Sequence, residues 1–256
     1  MGLLIFWAIL FTIIVCHELG HLLMAKKYGV RVNVYSIGFG PRIIGVKFYK
    51  RQISWRIGNR IPTNTKVWFR KDNTEYRIAP IFFGGFCSLE GELKSTGKPY
   101  ELATKPLSQK IQIILAGVGL NFITGFLALL GIAIKNHGFI NGLKYISIFI
   151  YQIFFNLFYA LCTGQIEITT AKGVNTLMSG LSFEIVLAYF GFLSILMAIF
   201  NVMPIPALDG SYPCYWLIEK ISKGKATKAL KIIWFISFIL LMILQVIILY
   251  FWIVGK

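Results

Sequence analysis

Charge is scarce in this sequence. Of its 256 residues only 14% are Asp, Glu, Lys or Arg, while 57% are hydrophobic and 16% aromatic. That balance excludes an ordinary soluble domain, in which about a quarter of the residues are charged. Cysteine is sparse too. Cys16, Cys87, Cys162 and Cys214 show no paired spacing and no C-x-x-C, so the thiols read as small apolar fillers. Cys16 adjoins His17 but faces another side of a helix, which sets it apart from any ligand cluster there. The first apolar run has no basic leader and ends in Lys26-Lys27 rather than a small-residue cleavage site. It is therefore expected to remain as a membrane helix and not to be removed as a signal peptide. Phe6 stands where a myristoylated Gly2 would need Ser or Thr. No internal repeat or low-complexity segment is visible.

What the sequence has in abundance is long apolar runs: residues 3–25, 111–134, 145–162, 185–203 and 232–254. A bilayer crossing needs about 20 mostly apolar residues. The formal net charge of +16 is distributed unevenly. Of 26 Lys and Arg, 17 fall between Lys26 and Lys110 and five between Lys220 and Lys231. Clustering of this kind is the positive-inside pattern of a membrane protein and argues against a nucleic-acid partner. With both basic stretches in the cytoplasm, 3–25 runs inward, 111–134 outward, 185–203 inward and 232–254 outward. Parity then leaves 145–162 on the outer side, as an interfacial helix with Gln152 and Asn156 on one face. Between the first two spans, residues 30–90 alternate β-branched and aromatic residues with basic ones, which is a strand pattern. The segment from Tyr76 to Phe86 either dips into the bilayer or forms a greasy cytoplasmic β-unit. The expected fold is thus an all-α polytopic membrane protein with a small β element. It has four transmembrane helices, a membrane-reentrant or cytoplasmic β-loop region and one interfacial helix, as a single domain over 1–256.

The first span carries "CHELGH", placing His17, Glu18 and His21 in an otherwise apolar helix. Ionisable groups at that depth are costly and point to function. The spacing is H-E-x-x-H: two imidazoles one turn apart on one helix face, with Glu18 rotated by about 100° from His17. A catalytic Zn2+ takes three protein ligands and a water whose pKa it lowers, and a nearby carboxylate accepts that proton. The sequence holds three histidines in all, and His137 reads as a solvated loop residue. No suitable third ligand follows His21 closely. The candidate is Asp209, in "NVMPIPALDG", where Pro204 and Pro206 interrupt the helix beside an acid. The competing reading of Asp209 is a turn-forming Asp-Gly. Topology places it at the same depth as His21.

H-E-x-x-H in a first span with N-x-x-P-x-P-x-L-D-G in a later one resembles the site-2 protease family of intramembrane zinc metalloproteases, peptidase M50. The nearest branch is the regulator-of-sigma-E-protease type. The resemblance implies a metalloendopeptidase that cleaves transmembrane segments of single-span membrane proteins, or signal-peptide remnants, in a lipid bilayer. It implies His17, His21 and Asp209 as zinc ligands and Glu18 as catalytic base. "GFGP" (38–41) and "GGF" (84–86) are similar to the family's membrane-reentrant β-loop. "LAGVGLNF" (115–122) is similar to its second-span motif, which would give Asn121 a substrate-facing role, with Asn201 similarly placed. The segment ending "ALCTGQIEITTAKG" is similar to the family's outer juxtamembrane helix. Val118 replaces a usual proline, Ser211 replaces a usual glycine, and the short link between 134 and 145 leaves no room for PDZ domains. The resemblance implies a multi-pass cell-membrane protein, expected in a bacterial cytoplasmic membrane with the active site towards the cytoplasm. The competing class is a non-proteolytic membrane metal-binding protein or divalent-cation carrier, which leaves Glu18 without a task.

Overall fold

A computed structural model describes residues 2–71, 73–92, 95–163 and 182–254. Helix α1 spans Gly2–Lys27. No proline interrupts it, and Gly29, at φ 64°, takes the left-handed conformation that stops helices. Lys26 and Lys27 occupy its last turn, where cations complement the helix dipole. Five strands follow: β1 (Val32–Phe39), β2 (Ile44–Tyr49), β3 (Gln52–Ile57), β4 (Glu75–Ile78) and β5 (Ile81–Leu89). A short helix, α2 (Thr65–Trp68), separates β3 from β4 and is capped by the Asn64 side chain, which accepts from Val67 N. Among the described residues the remaining α-helices are α3 (Leu107–His137), α4 (Phe139–Thr163), α5 (Phe183–Val202), α6 (Ser211–Ile221) and α7 (Thr227–Val254). Four of these helices, α1, α3, α5 and α7, are long and apolar enough to cross a membrane. They correspond to the four expected spans. The segment similar to an outer juxtamembrane helix lies outside the described residues from position 164 onward.

The chain forms two compact units, residues 14–120 and residues 1–13 with 121–256, so the boundaries fall inside α1 and α3. In the first unit the strands form one mixed sheet in the order β3-β2-β4-β1-β5. β1 pairs in parallel with β4, and the other pairings are antiparallel. The strand pattern read from 30–90 therefore folds as a real sheet, and the Tyr76–Phe86 segment supplies two of its strands. α2 covers one face, where Val67 and Trp68 are buried. Arg42 donates to Glu75 at 2.5 Å and lies over the Trp68 ring, so the buried carboxylate is compensated.

A loop clasp follows β5. Glu101 is buried and accepts from the hydroxyls of Ser95 and Thr96 and from the backbone N–H of Thr96 and Gly97. The two hydroxyls, then the backbone donors, lower its carboxyl from 4.5 to about 2. A depressed folded-state pKa stabilises above the unfolded value and loses that contribution as pH falls through the folded one. Thermal unfolding in detergent should therefore show stability declining between about pH 4.5 and pH 2. In Glu101→Gln that part of the slope should be missing.

In the second unit the helices approach closely at small residues. A Cβ on Gly125 would stand 2.7 Å from the Gly191 carbonyl oxygen, joining α3 to α5. One on Gly142 would stand 2.8 Å from the backbone of Ile134, folding α4 back on α3. Gly138, at φ 76°, is the one residue between α3 and α4. Ile146 and Ile153 of α4 are buried with Leu129 of α3 and with Ile195 and Ile199 of α5. The helix expected over 145–162 thus begins earlier and packs on two candidate spans. Ile9 and Ile13 of α1 are buried against Val186, Tyr189, Phe190 and Leu193 of α5.

Candidate metal centre

His17, Glu18 and His21 are all buried, at 5%, 7% and 6% exposure. The i, i+4 spacing brings the two rings to a centroid distance of 4.8 Å with their planes at 82°. Their Nε2 atoms are 3.2 Å apart. A tetrahedral ion with Zn–N bonds of about 2.0–2.1 Å holds two nitrogens about 3.3 Å apart, so the imidazoles fit a shared zinc. His21 Nδ1 lies 3.0 Å from the Ile113 carbonyl oxygen of α3. Donation to that carbonyl places the ring proton on Nδ1 and leaves the Nε2 lone pair for a cation, the usual orientation of a metal-binding histidine.

The contact depends on missing side chains. A Cβ on Gly20 would lie 2.3 Å from the Ala116 carbonyl oxygen, and one on Gly117 would lie 2.5 Å from His21 Nε2. Neither glycine stands out in the sequence by its chemistry. The signal available was the small-residue pair Ala116-Gly117 matched to Gly20 inside the histidine motif. On the other side, a Cβ on Gly85 of β5 would stand 2.9 Å from Glu18 Cγ and 2.7 Å from the Ser36 carbonyl oxygen. The Tyr35 hydroxyl donates to the Val15 carbonyl at 2.9 Å, tying β1 to α1 two residues before the motif. Burial first, and then the Glu18 carboxylate, push the Tyr35 phenol and the Cys87 thiol above their usual ranges. Both therefore stay protonated beside Glu18.

Asp209 sits in the turn between α5 and α6. Met203 precedes Pro204 and is extended, at φ −64° and ψ 144°, so the helix ends at Val202. The chain then doubles back: Gly210 N donates to the Asn201 carbonyl at 2.7 Å. A Cβ on Gly210 would lie 2.1 Å from the Val202 carbonyl oxygen, so glycine is required after Asp209. Ser211 Oγ donates to the Leu208 carbonyl at 2.6 Å and starts α6. The serine that departs from the family pattern thus fixes the turn. Asp209 belongs to the second compact unit and the two imidazoles to the first.

The two asparagines differ in setting: the Asn121 backbone of α3 meets α5, whereas the Asn201 side chain is held by its own helix. Asn121 is fully buried, and its carbonyl oxygen accepts from Ser194 Oγ at 2.9 Å. Asn201 Nδ2 donates to the Met197 carbonyl one turn back at 3.0 Å. Val118 lies within continuous helix, so the missing proline leaves α3 unbroken.

The sequence matches Peptidase family M50 over residues 5–63 and 64–244. It is 29% identical over 139 residues to the zinc metalloprotease Rip1 of Mycolicibacterium smegmatis, covering 52% of this chain and 30% of that protein. It is 35% identical over 132 residues to a Borreliella burgdorferi protein described as a candidate zinc metalloprotease, covering 47% of this chain and 25% of that protein. The matched region thus spans under a third of these curated relatives. Buried paired imidazoles, a carboxylate beside them and a family match across nearly the whole chain agree: the chain belongs to the M50 zinc metalloprotease family.

Proposed function

We propose that the chain is an intramembrane zinc endopeptidase that hydrolyses peptide bonds in transmembrane segments of membrane proteins or in signal-peptide remnants. His17, His21 and Asp209 are the assigned ligands and Glu18 the assigned base. The observation that carries this reading is the 3.2 Å separation of the two buried Nε2 atoms with Glu18 on the same helix. Bound zinc supplies a Lewis acid that polarises a carbonyl and acidifies water. Glu18 takes the proton from the attacking water and delivers it to the leaving amide nitrogen.

A peptide bond inside a helix is shielded by its own hydrogen bonds, so the substrate must unwind first. Among the described residues β5 lies at the sheet edge and pairs only with β1. Its outer edge offers backbone groups to an extended segment, which would add as another strand. Gly85 brings that strand against Glu18 without an intervening side chain. Roles for Asn121 and Asn201 in holding the substrate require Asn201 to exchange its Met197 partner. The basic residues following α1 favour a cytoplasmic position for the site.

The test is the full chain in liposomes with a transmembrane peptide. Cleavage that chelation abolishes and zinc restores is the expected result. Zinc transport into the same vesicles without cleavage would instead make the protein a cation carrier.

A further inference from the structure

The sheet has a second apolar surface that catalysis does not use. Hairpin β2–β3 pairs Ile44 with Ile57, Val46 with Trp55 and Phe48 with Ile53. Directly paired residues share a sheet face, so all six apolar side chains stand on one side. Phe48, Ile53, Trp55 and Ile57 are 53%, 58%, 46% and 41% exposed. The opposite face is the one α2 covers: a Cβ on Gly45 would meet Trp68 at 3.0 Å, and Ser54 Oγ accepts from Asn64 N. An open apolar face of this kind marks an interaction surface.

Two further features identify what covers it. The first is charge. From Leu19 to Lys71 the sequence contains twelve Lys and Arg and no Asp or Glu. Lys50 and Arg51 form the hairpin's two-residue turn, and Lys50 sits at φ 51°. Turn chemistry favours Gly or Asn at such a position, so a lysine there is held against local preference. The second is continuity. Val46 pairs with Tyr76, Tyr76 with Tyr35 and Tyr35 with Cys87, so the Trp55 row runs across all five strands. The neighbouring row runs from Ile57 through Ile44, Ile78 and Ile37 to Gly85, the residue against Glu18 of α1. The open face is therefore the outward extension of the face that meets a candidate membrane span.

We infer that the β2–β3 hairpin is a lipid foot: its apolar face enters the boundary of the bilayer, and Lys50 and Arg51 bind the headgroups of acidic phospholipids. Apolar burial anchors the wing, while the two cations at its tip supply headgroup selectivity. The foot is independent of peptide cleavage and is read without an activity assay.

The experiment places the full chain in nanodiscs of phosphatidylcholine with added phosphatidylglycerol. Trp55 emission is taken as the difference between the chain and Trp55→Phe. Acyl chains brominated near the headgroup should quench this emission, most strongly when the bromine is carried by phosphatidylglycerol. Lys50→Gly relieves the turn yet should lower the preference for acidic lipid by about fivefold, as removal of one cation near a charged surface does. Arg51→Gln should do the same, and salt should weaken the preference. Quenching by aqueous acrylamide with none from brominated lipid would overturn the inference. So would equal quenching by both headgroup classes that neither variant changes. Protection of Trp55 only on adding a transmembrane peptide would give the face to substrate instead.

Discussion

Glu18→Gln should retain the zinc content of the parent chain and cleave a transmembrane peptide about a hundred- to ten-thousandfold more slowly. The substitution exchanges one carboxylate oxygen for an amide nitrogen and leaves the side-chain shape. Shape matters because Glu18 is 7% exposed and the backbone of Gly85 closes over its Cγ. A smaller residue would open a cavity and confuse a chemical effect with a packing one. Tyr35 and Cys87 are poor substitutes as a base, since burial first and then the Glu18 charge push both above their usual ranges. Zinc stoichiometry by atomic absorption and single-turnover cleavage are the two readouts. Turnover equal to the parent's would remove Glu18 from the chemistry. Loss of zinc with loss of turnover would make it a ligand.

A single methyl group at Gly117 should have the second largest effect. Its Cβ would stand 2.5 Å from His21 Nε2 and 2.8 Å from the His17 carbonyl oxygen. The carbonyl belongs to a helix backbone and cannot swing away. Relief requires either α3 to move or the imidazole to abandon the Ile113 carbonyl. Overpacking of this kind costs about 1–3 kcal/mol, so zinc affinity should fall roughly ten- to a hundredfold. Gly119 provides the control in the same helix, because a Cβ there meets nothing within 4 Å. Gly119→Ala should bind zinc normally and gain about 0.5–1 kcal/mol of stability from the lost glycine entropy. Competition with a chelating dye separates the two variants. Equal affinity in both would show that the helices yield freely at this contact.

The zinc motif and the long helices were legible in the sequence because both depend on local spacing. H-E-x-x-H fixes its geometry within one turn, and the apolar runs carry their own length. The strands between 30 and 57 were legible from alternation, but the sheet order was not. β4 inserts between β1 and β2 because Glu75 must meet Arg42 while Tyr76 packs between Tyr35 and Phe48, contacts that no local pattern announces. Helix α6 went unforeseen because the Leu208–Gly210 turn and Pro213 obscure its start. Pro213 is tolerated within the first turn, where its missing N–H has no helical partner. The substrate-facing role that resemblance suggested for Asn201 met a local competitor, since a side-chain amide one turn from a carbonyl bonds to it readily.

The hydrogen bond from His21 to Ile113 has a kinetic consequence. In an α-helix the Ile113 carbonyl also serves the N–H of Gly117, so one short turn of α3 both steers the imidazole and leaves room for it. The cation's seat is thereby shared between two helices that are not bonded along the chain at that point. Were the two helices to part, the ring would lose that carbonyl and with it the orientation that aims Nε2. The dissociation rate of a bound ion should then vary with lipid thickness if separation of the helices governs its release.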